Sequence, residues 1–73
     1  MDTISDQVRG LASGTLERLC GLPGGDVGAV RAAFVGYVDA AEERLPGTFR
    51  TWTEAWLAFK RSPAYPLVRS RAA

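Results

Sequence analysis

The segment DVGAVRAAFVGYVDAAEERL, residues 26–45, carries the clearest helical pattern in this sequence. Apolar side chains recur in it every three or four residues, which places them on one face of a helix. They are Val27, Val30, Phe34, Val38, Ala41 and Leu45. Asp26 stands in front of them as a candidate N-cap. Pro46-Gly47 ends the pattern, because proline disfavours helical backbone in the residue before it. An α-helix is therefore predicted over residues 26–45.

A second amphipathic helix is predicted upstream, over about residues 3–20. Its apolar residues have the same spacing of three and four, and they are Ile4, Val8, Leu11, Ala12, Leu16 and Leu19. The turn sequence Gly-Leu-Pro-Gly-Gly at residues 21–25 ends it. Gly10 and Gly14 each cost up to about 1 kcal/mol relative to alanine inside a helix. This helix therefore needs tertiary support.

A third helix is predicted downstream, over about residues 49–61. An aromatic stripe identifies it, formed by Phe49, Trp52, Trp56 and Phe59. Thr48 and Thr51 are both candidates for its N-cap, which places the first helical residue within 49–52, and Thr51 has the spacing of a capping box with Glu54. The helix stops at Ser62-Pro63, since proline interrupts a helix.

The predicted fold class is all-α, a small up-down-up three-helix bundle over residues 1–62 with a short extended C-terminal tail. The tail, residues 63–73, is basic and contains Pro63 and Pro66, and the short links favour antiparallel helices. The predicted core consists of Ile4, Val8, Leu11, Leu16, Leu19, Val30, Phe34, Val38, Leu45, Trp52, Trp56 and Phe59.

Composition excludes several classes of function. The chain has 73 residues, one cysteine and no histidine. We therefore expect one small domain or a piece of something larger, with no internal disulfide, no usual Cys/His zinc site and no histidine-activated nucleophile. Cys20 is expected to be a small core residue. We predict no catalytic residue, metal, cofactor or small-molecule substrate, and thus not an enzyme, although a non-catalytic subunit of an enzyme complex fits equally well.

The sequence also bears on location and origin. It begins without the basic and apolar regions of a secretory signal, and its longest apolar run, residues 32–38, is far shorter than the roughly 20 residues that span a bilayer. These features predict a cytoplasmic protein without membrane contact. Eight arginines against one lysine, with nineteen Ala plus Gly, fit a GC-rich bacterial or phage genome.

The predicted function is a small non-catalytic protein–protein interaction module, such as an accessory subunit, adaptor or assembly factor. Chains this small that lack disulfides and metals commonly gain stability from a partner or a second copy. Trp and Tyr are frequent interface anchors. The predicted partner-binding residues are Trp52, Trp56, Tyr65 and Leu67, with the core as the alternative location for the two tryptophans.

Self-association is a further possibility, suggested by small residues on the second helix. Ala29, Ala33, Gly36 and Ala40 lie nearly opposite the large apolar stripe and form a smooth face that a helix can approach closely. A second copy is one candidate for that helix, and Gly10 and Gly14 of the first helix are another. A third interpretation is that these are surface alanines of high helix propensity.

The alternative function is a small nucleic-acid-binding regulator. Net charge is −3 over residues 1–47 and +4 over residues 48–73, and Lys60, Arg61, Arg69 and Arg71 are the cations that would contact phosphates. Cations at the end of a helix also complement its dipole without any ligand. Nucleic acid is therefore the less favoured partner.

Overall fold

The computed structural model describes residues 3–73, which form five α-helices and no β-strand. The helices are α1 (Ile4–Arg9), α2 (Ser13–Cys20), α3 (Val27–Arg44), α4 (Trp52–Arg61) and α5 (Ala64–Ala72). The all-α prediction is confirmed, but the three-helix bundle with an extended tail is wrong. Residues 1–2 of the predicted domain lie outside the described residues.

The predicted helix over residues 3–20 is divided at Gly10. The Gly10 N–H donates to the carbonyls of Asp6 and Val8, ending α1, and Ala12 has extended backbone (φ −67°, ψ 147°) before α2 begins. Glycine is unfavourable inside a helix, which weakens the chain at this point. The Arg31 guanidinium of α3 donates to the Leu11 carbonyl, which the break leaves without a helical partner.

Thr3 and Asp6 form a capping box that starts α1. The Thr3 hydroxyl oxygen accepts from the Asp6 N–H at 3.1 Å, and the Asp6 carboxylate accepts from the Thr3 N–H at 3.2 Å. The hydrogen bond from the Thr3 N–H holds the pKa of the Asp6 carboxyl below its usual value. Two N–H groups that lack helical partners are thereby satisfied.

The predicted extended tail is instead the helix α5. Pro66 lies in its first turn, where a backbone N–H has no partner within the helix, so the proline removes no hydrogen bond. The Asp26 N–H donates to the Ala72 carbonyl at 2.9 Å, and Arg69 Nε donates to the Cys20 carbonyl at 3.0 Å. Residues 64–72 are therefore an integral part of the fold.

The core is built around α3, which packs against each of the other four helices. The fully buried large side chains of the core are Val8, Leu16, Val30, Phe34, Val38 and Phe59. Phe34 stacks on Phe59 with ring centroids 5.2 Å apart and meets Trp56 edge-on at 5.3 Å. The centre of the core is thus aromatic, with aliphatic side chains from α1, α2 and α3 around it.

Most of the predicted core residues are buried or packed against the core. Trp56 is 3% exposed, and Ile4, Leu11, Leu19 and Trp52 are half-buried. Leu45 was predicted to be buried and is 65% exposed. It follows the last residue of α3 with extended backbone (φ −147°, ψ 93°), so it no longer shares the buried face of the helix.

Candidate protein-docking surface

The connection between α3 and α4, residues 45–51, is fixed by hydrogen bonds at its start. Gly47 has a φ of +80°, which favours glycine, and its N–H donates to Glu42 Oε2 at 2.8 Å. The Thr48 hydroxyl donates to the Leu45 carbonyl. The turn therefore holds Leu45 in a defined position at the surface.

The end of the same connection is fixed by the cap of α4. The Thr51 hydroxyl oxygen accepts from the Glu54 N–H at 3.3 Å, as the sequence predicts. The Glu54 carboxylate accepts from the Arg50 N–H at 2.9 Å, one residue before the position expected in a capping box. Phe49 lies between the two ends, half-buried, with its ring centroid 6.2 Å from that of Tyr37.

An apolar groove of about 470 Å³ lies where α3, the connection and α4 meet. We call it the Leu45 groove, and it is lined by Tyr37, Ala41, Arg44, Leu45, Thr48, Phe49 and Ala58. The Tyr37 ring packs against the buried Phe59 ring, with ring centroids 5.5 Å apart. Arg44 is the only charged residue in this lining. The groove can therefore accept an apolar side chain and offers a cation to a neighbouring carboxylate.

A second, more polar groove of about 450 Å³ lies on the other side of Phe49, against α1. Its carboxylates already have partners within the chain. Asp39 accepts from the Ser5 hydroxyl and pairs with Arg9 at 3.6 Å, and Glu42 accepts the Gly47 N–H. These contacts join α1 and the connection to α3. The carboxylates of this groove therefore stabilise the fold, and no ligand is needed to explain them.

The four predicted partner-binding residues differ in their exposure. Trp56 is buried in the core and meets the Tyr65 ring edge-on at 5.4 Å. Trp52 and Tyr65 are half-buried, whereas Leu67 is 66% exposed. Of this set, only Leu67 has a side chain that is mainly at the surface.

The predicted self-association face is partly covered. Ala29 and Ala33 are half-buried against the core, and Gly36 and Ala40 are exposed. Gly10 and Gly14 do not pack on it: among residues 3–73, no atom of α3 lies within 4 Å of where a Cβ would stand on either glycine. The exposed half of this face has no partner helix within the described part of the chain.

The predicted phosphate-contacting residues are all exposed. Lys60 and Arg61 occupy the last turn of α4, and Arg69 and Arg71 the last turn of α5, where cations complement the helix dipole. Arg69 has a structural role, because its Nε donates to the Cys20 carbonyl at the end of α2.

Cys20 is 3% exposed, as expected of a core residue. Burial raises the pKa of its thiol, and Tyr65 and Arg69 beside it offset this only in part. A thiol held in its neutral form is a poor nucleophile. Within residues 3–73, no group of three or more Cys, Asp or Glu side chains is placed to hold a metal ion.

Comparisons with protein-family models, curated proteins and solved structures found no match to this chain. None of the helices within residues 3–73 combines the length and apolar character needed to cross a bilayer. The Leu45 groove was missed from the sequence because helical periodicity assigned Leu45 to the core. The available signal was its position directly before Pro46-Gly47, where a helix ends.

Proposed function

We propose that this protein is a non-catalytic protein–protein interaction module and that a partner polypeptide binds in the Leu45 groove. The supporting observation is the 65% exposure of Leu45 beside a groove with mainly apolar walls. Fully burying a leucine side chain contributes roughly 1.5–3 kcal/mol. A partner that covers Leu45 gains much of this free energy, which the isolated chain leaves unused.

The lining of the groove specifies the chemistry of the partner. An aliphatic or aromatic side chain of the partner packs against Tyr37, Phe49 and Leu45. A carboxylate next to that side chain pairs with Arg44. The hydrogen bonds at Gly47 and Arg50 hold the connection in place before binding, which lowers the conformational entropy lost on association.

The proposed function is tested with two leucine variants of matched exposure. Leu45→Glu places a charge at the groove, and Leu67→Glu places the same charge at an equally exposed position on α5 (65% and 66% exposed). Both variants should retain the helicity of the unchanged chain by circular dichroism. Each protein is used to capture partners from cell extract, and candidates are then purified and titrated by calorimetry.

The expected result is a purified partner whose affinity falls at least tenfold with Leu45→Glu and stays within about twofold with Leu67→Glu. Such a loss corresponds to at least about 1.4 kcal/mol, within the range of an interface hot spot. If every purified partner binds the Leu45→Glu variant as tightly as the unchanged chain, or if none is captured, the proposed use of the groove is wrong.

A further inference from the structure

Helix α4 carries a second row of side chains besides the row that enters the core. The core row includes Trp56 and Phe59, which are 3% and 0% exposed. The members of the second row follow its first residue by three, four and seven positions, so they share one face of the helix. They are Glu54, Leu57, Ala58 and Arg61. We call this row the outer α4 face; Ala58 is half-buried and the other three residues are exposed.

The two charges of the outer α4 face form no ion pair within residues 3–73. Seven positions of helix separate Glu54 from Arg61, about 10 Å along the axis, which is too far for them to pair with each other. The ion pairs found in this part of the chain join Arg9 to carboxylates of α1 and α3. Glu54 accepts the Arg50 N–H through one carboxylate oxygen, at 2.9 Å, and a carboxylate has a second oxygen that can accept. Both charges are therefore available to a partner.

The order of side chains along the outer α4 face is its own complement. An acid and a base stand at equal distances from the midpoint between Leu57 and Ala58. When two such helices pack antiparallel about a two-fold axis at that midpoint, Glu54 of each copy lies opposite Arg61 of the other. Leu57 of each copy then lies opposite Ala58, whose small side chain leaves room for the leucine. Every contact forms twice, as in an isologous dimer.

We infer that two copies of this chain associate through the outer α4 face in this antiparallel arrangement. The contact covers Leu57, which is 53% exposed in the single chain. Charge fixes the direction, because a parallel arrangement places like charges opposite each other. A helix of a different protein can be matched to these residues in any order, whereas the two-fold contact requires the symmetric order that α4 has. A second copy is therefore the occupant that this face favours.

The association is expected to be weak because the contact is small. A helix of ten residues is about 15 Å long, and a pair of such helices buries less than the roughly 1,200–2,000 Å² of stable complexes. The inference does not rest on the proposed function, because it uses side chains of α4 alone. Ala58 also lines the Leu45 groove, so the two surfaces adjoin at that residue.

The first test is sedimentation equilibrium of the full chain from about 10 µM to about 1 mM, a range suited to weak association. The mean mass should rise from that of one chain toward that of two. Leu57→Ser should raise the dissociation constant at least about fivefold, because it removes the leucine from both copies. Leu67→Ser changes an exposed leucine on α5 and should leave the constant within about twofold. Circular dichroism checks that both variants keep the helicity of the unchanged chain.

The second test exchanges the charges. Glu54→Arg makes both ends of the outer α4 face basic, and Arg61→Glu makes both ends acidic. Each variant alone should associate at least about fivefold more weakly, because like charges then face each other. An equimolar mixture of the two variants should associate within about threefold of the unchanged chain, since opposite charges face each other again in the mixed dimer. Mixing cannot restore association that was lost through misfolding.

Three results would overturn the inference. The first is a mean mass that stays at one chain up to about 1 mM. The second is a dimer that Leu57→Ser leaves unchanged or that Leu67→Ser weakens equally. The third is a mixture of the two charge variants that associates no more tightly than either variant alone. A monomeric chain would still leave the Leu45 groove to its own test by partner capture, so failure here is distinct from failure of the proposed function.

Discussion

Val68 and Leu67 are adjacent in α5 but have opposite environments, and comparing their alanine variants tests how the C-terminal residues fold. Val68 is 9% exposed and belongs to the core, whereas Leu67 is 66% exposed. An extended tail that does not pack on the bundle would make neither substitution costly, and one that packed through Leu67 would reverse their order. The helix α5 predicts that only one of them is costly.

The magnitudes follow from the buried carbon atoms. Val68→Ala removes two methyl groups that are almost fully buried, at about 0.8 kcal/mol each, so the free energy of unfolding should fall by about 1.6 kcal/mol. Leu67→Ala removes three carbons, but two thirds of the residue is already in water, so the expected loss is at most about 0.8 kcal/mol. For a domain of this size, the Val68 variant should melt roughly 6–13 °C lower.

The assay is equilibrium unfolding in urea, followed by far-UV circular dichroism and by tryptophan fluorescence. Linear extrapolation gives the free energy of unfolding of the unchanged chain and of both variants. Val68→Ala removes fewer carbon atoms than Leu67→Ala but should lower the free energy of unfolding more. If Leu67→Ala destabilises as much as Val68→Ala, or if neither variant differs from the unchanged chain, the packing of α5 described above is wrong.

Three further predictions concern glycines and pH. Gly36→Ala should raise the free energy of unfolding by up to about 1 kcal/mol in the same urea assay, since Gly36 is inside α3 and its Cβ would meet open space; a decrease would contradict this. Gly25→Ala should lower it by at least about 1 kcal/mol, because the new Cβ would stand 2.8 Å from the Ala72 carbonyl oxygen; an unchanged urea midpoint would show that α5 is not held close to residue 25. Burial raises the pKa values of Cys20 and Tyr65 above their ordinary values of 9.0 and 10.0. The unfolded chain therefore releases these protons first as pH rises, and stability should fall above about pH 9. Cys20→Ala should reduce this slope, and a slope that the variant leaves unchanged would exclude the thiol as a cause.

The helix α3 could be predicted to within one residue at each end because its signals are local. Apolar spacing, a preceding Asp26 and a following Pro46-Gly47 all lie within or next to the segment, which spans Val27–Arg44. The contacts of α3 with the other helices bury the apolar face that this spacing already identifies. The α4 stripe was recognised for the same reason, and its predicted cap at Thr51 is present.

The break between α1 and α2 could not be predicted, because the contact that supports it is distant in sequence. The Leu11 carbonyl accepts from Arg31, twenty residues away. Gly10 destabilises a helix by at most about 1 kcal/mol, which by itself is too little to predict a break in the helix. Although the single helix over residues 3–20 is wrong, the spacing of its apolar residues still assigns Val8 and Leu16 correctly to the core.

The sequence predicts an extended tail in place of the helix α5 because Pro63 and Pro66 are typical of extended segments. Proline is compatible with the first turn of a helix, and Pro63 and Pro66 occupy only the cap and the first turn. The contacts that hold α5 join Asp26 to Ala72 and Cys20 to Arg69. Such pairings between distant segments leave no periodic trace in the sequence.

The candidate binding residues follow the same logic. Aromatic residues suggested an interface, but a chain of 73 residues needs its largest side chains for its core, and Trp56 is accordingly buried. The leucines at the surface are those that the core does not require: Leu45 lies beyond the end of α3, and Leu57 and Leu67 lie on the outer sides of α4 and α5. Substitutions at these leucines should therefore have little effect on folding. For this reason, comparing Leu45→Glu with the equally exposed Leu67→Glu distinguishes a binding role of Leu45 from a structural one.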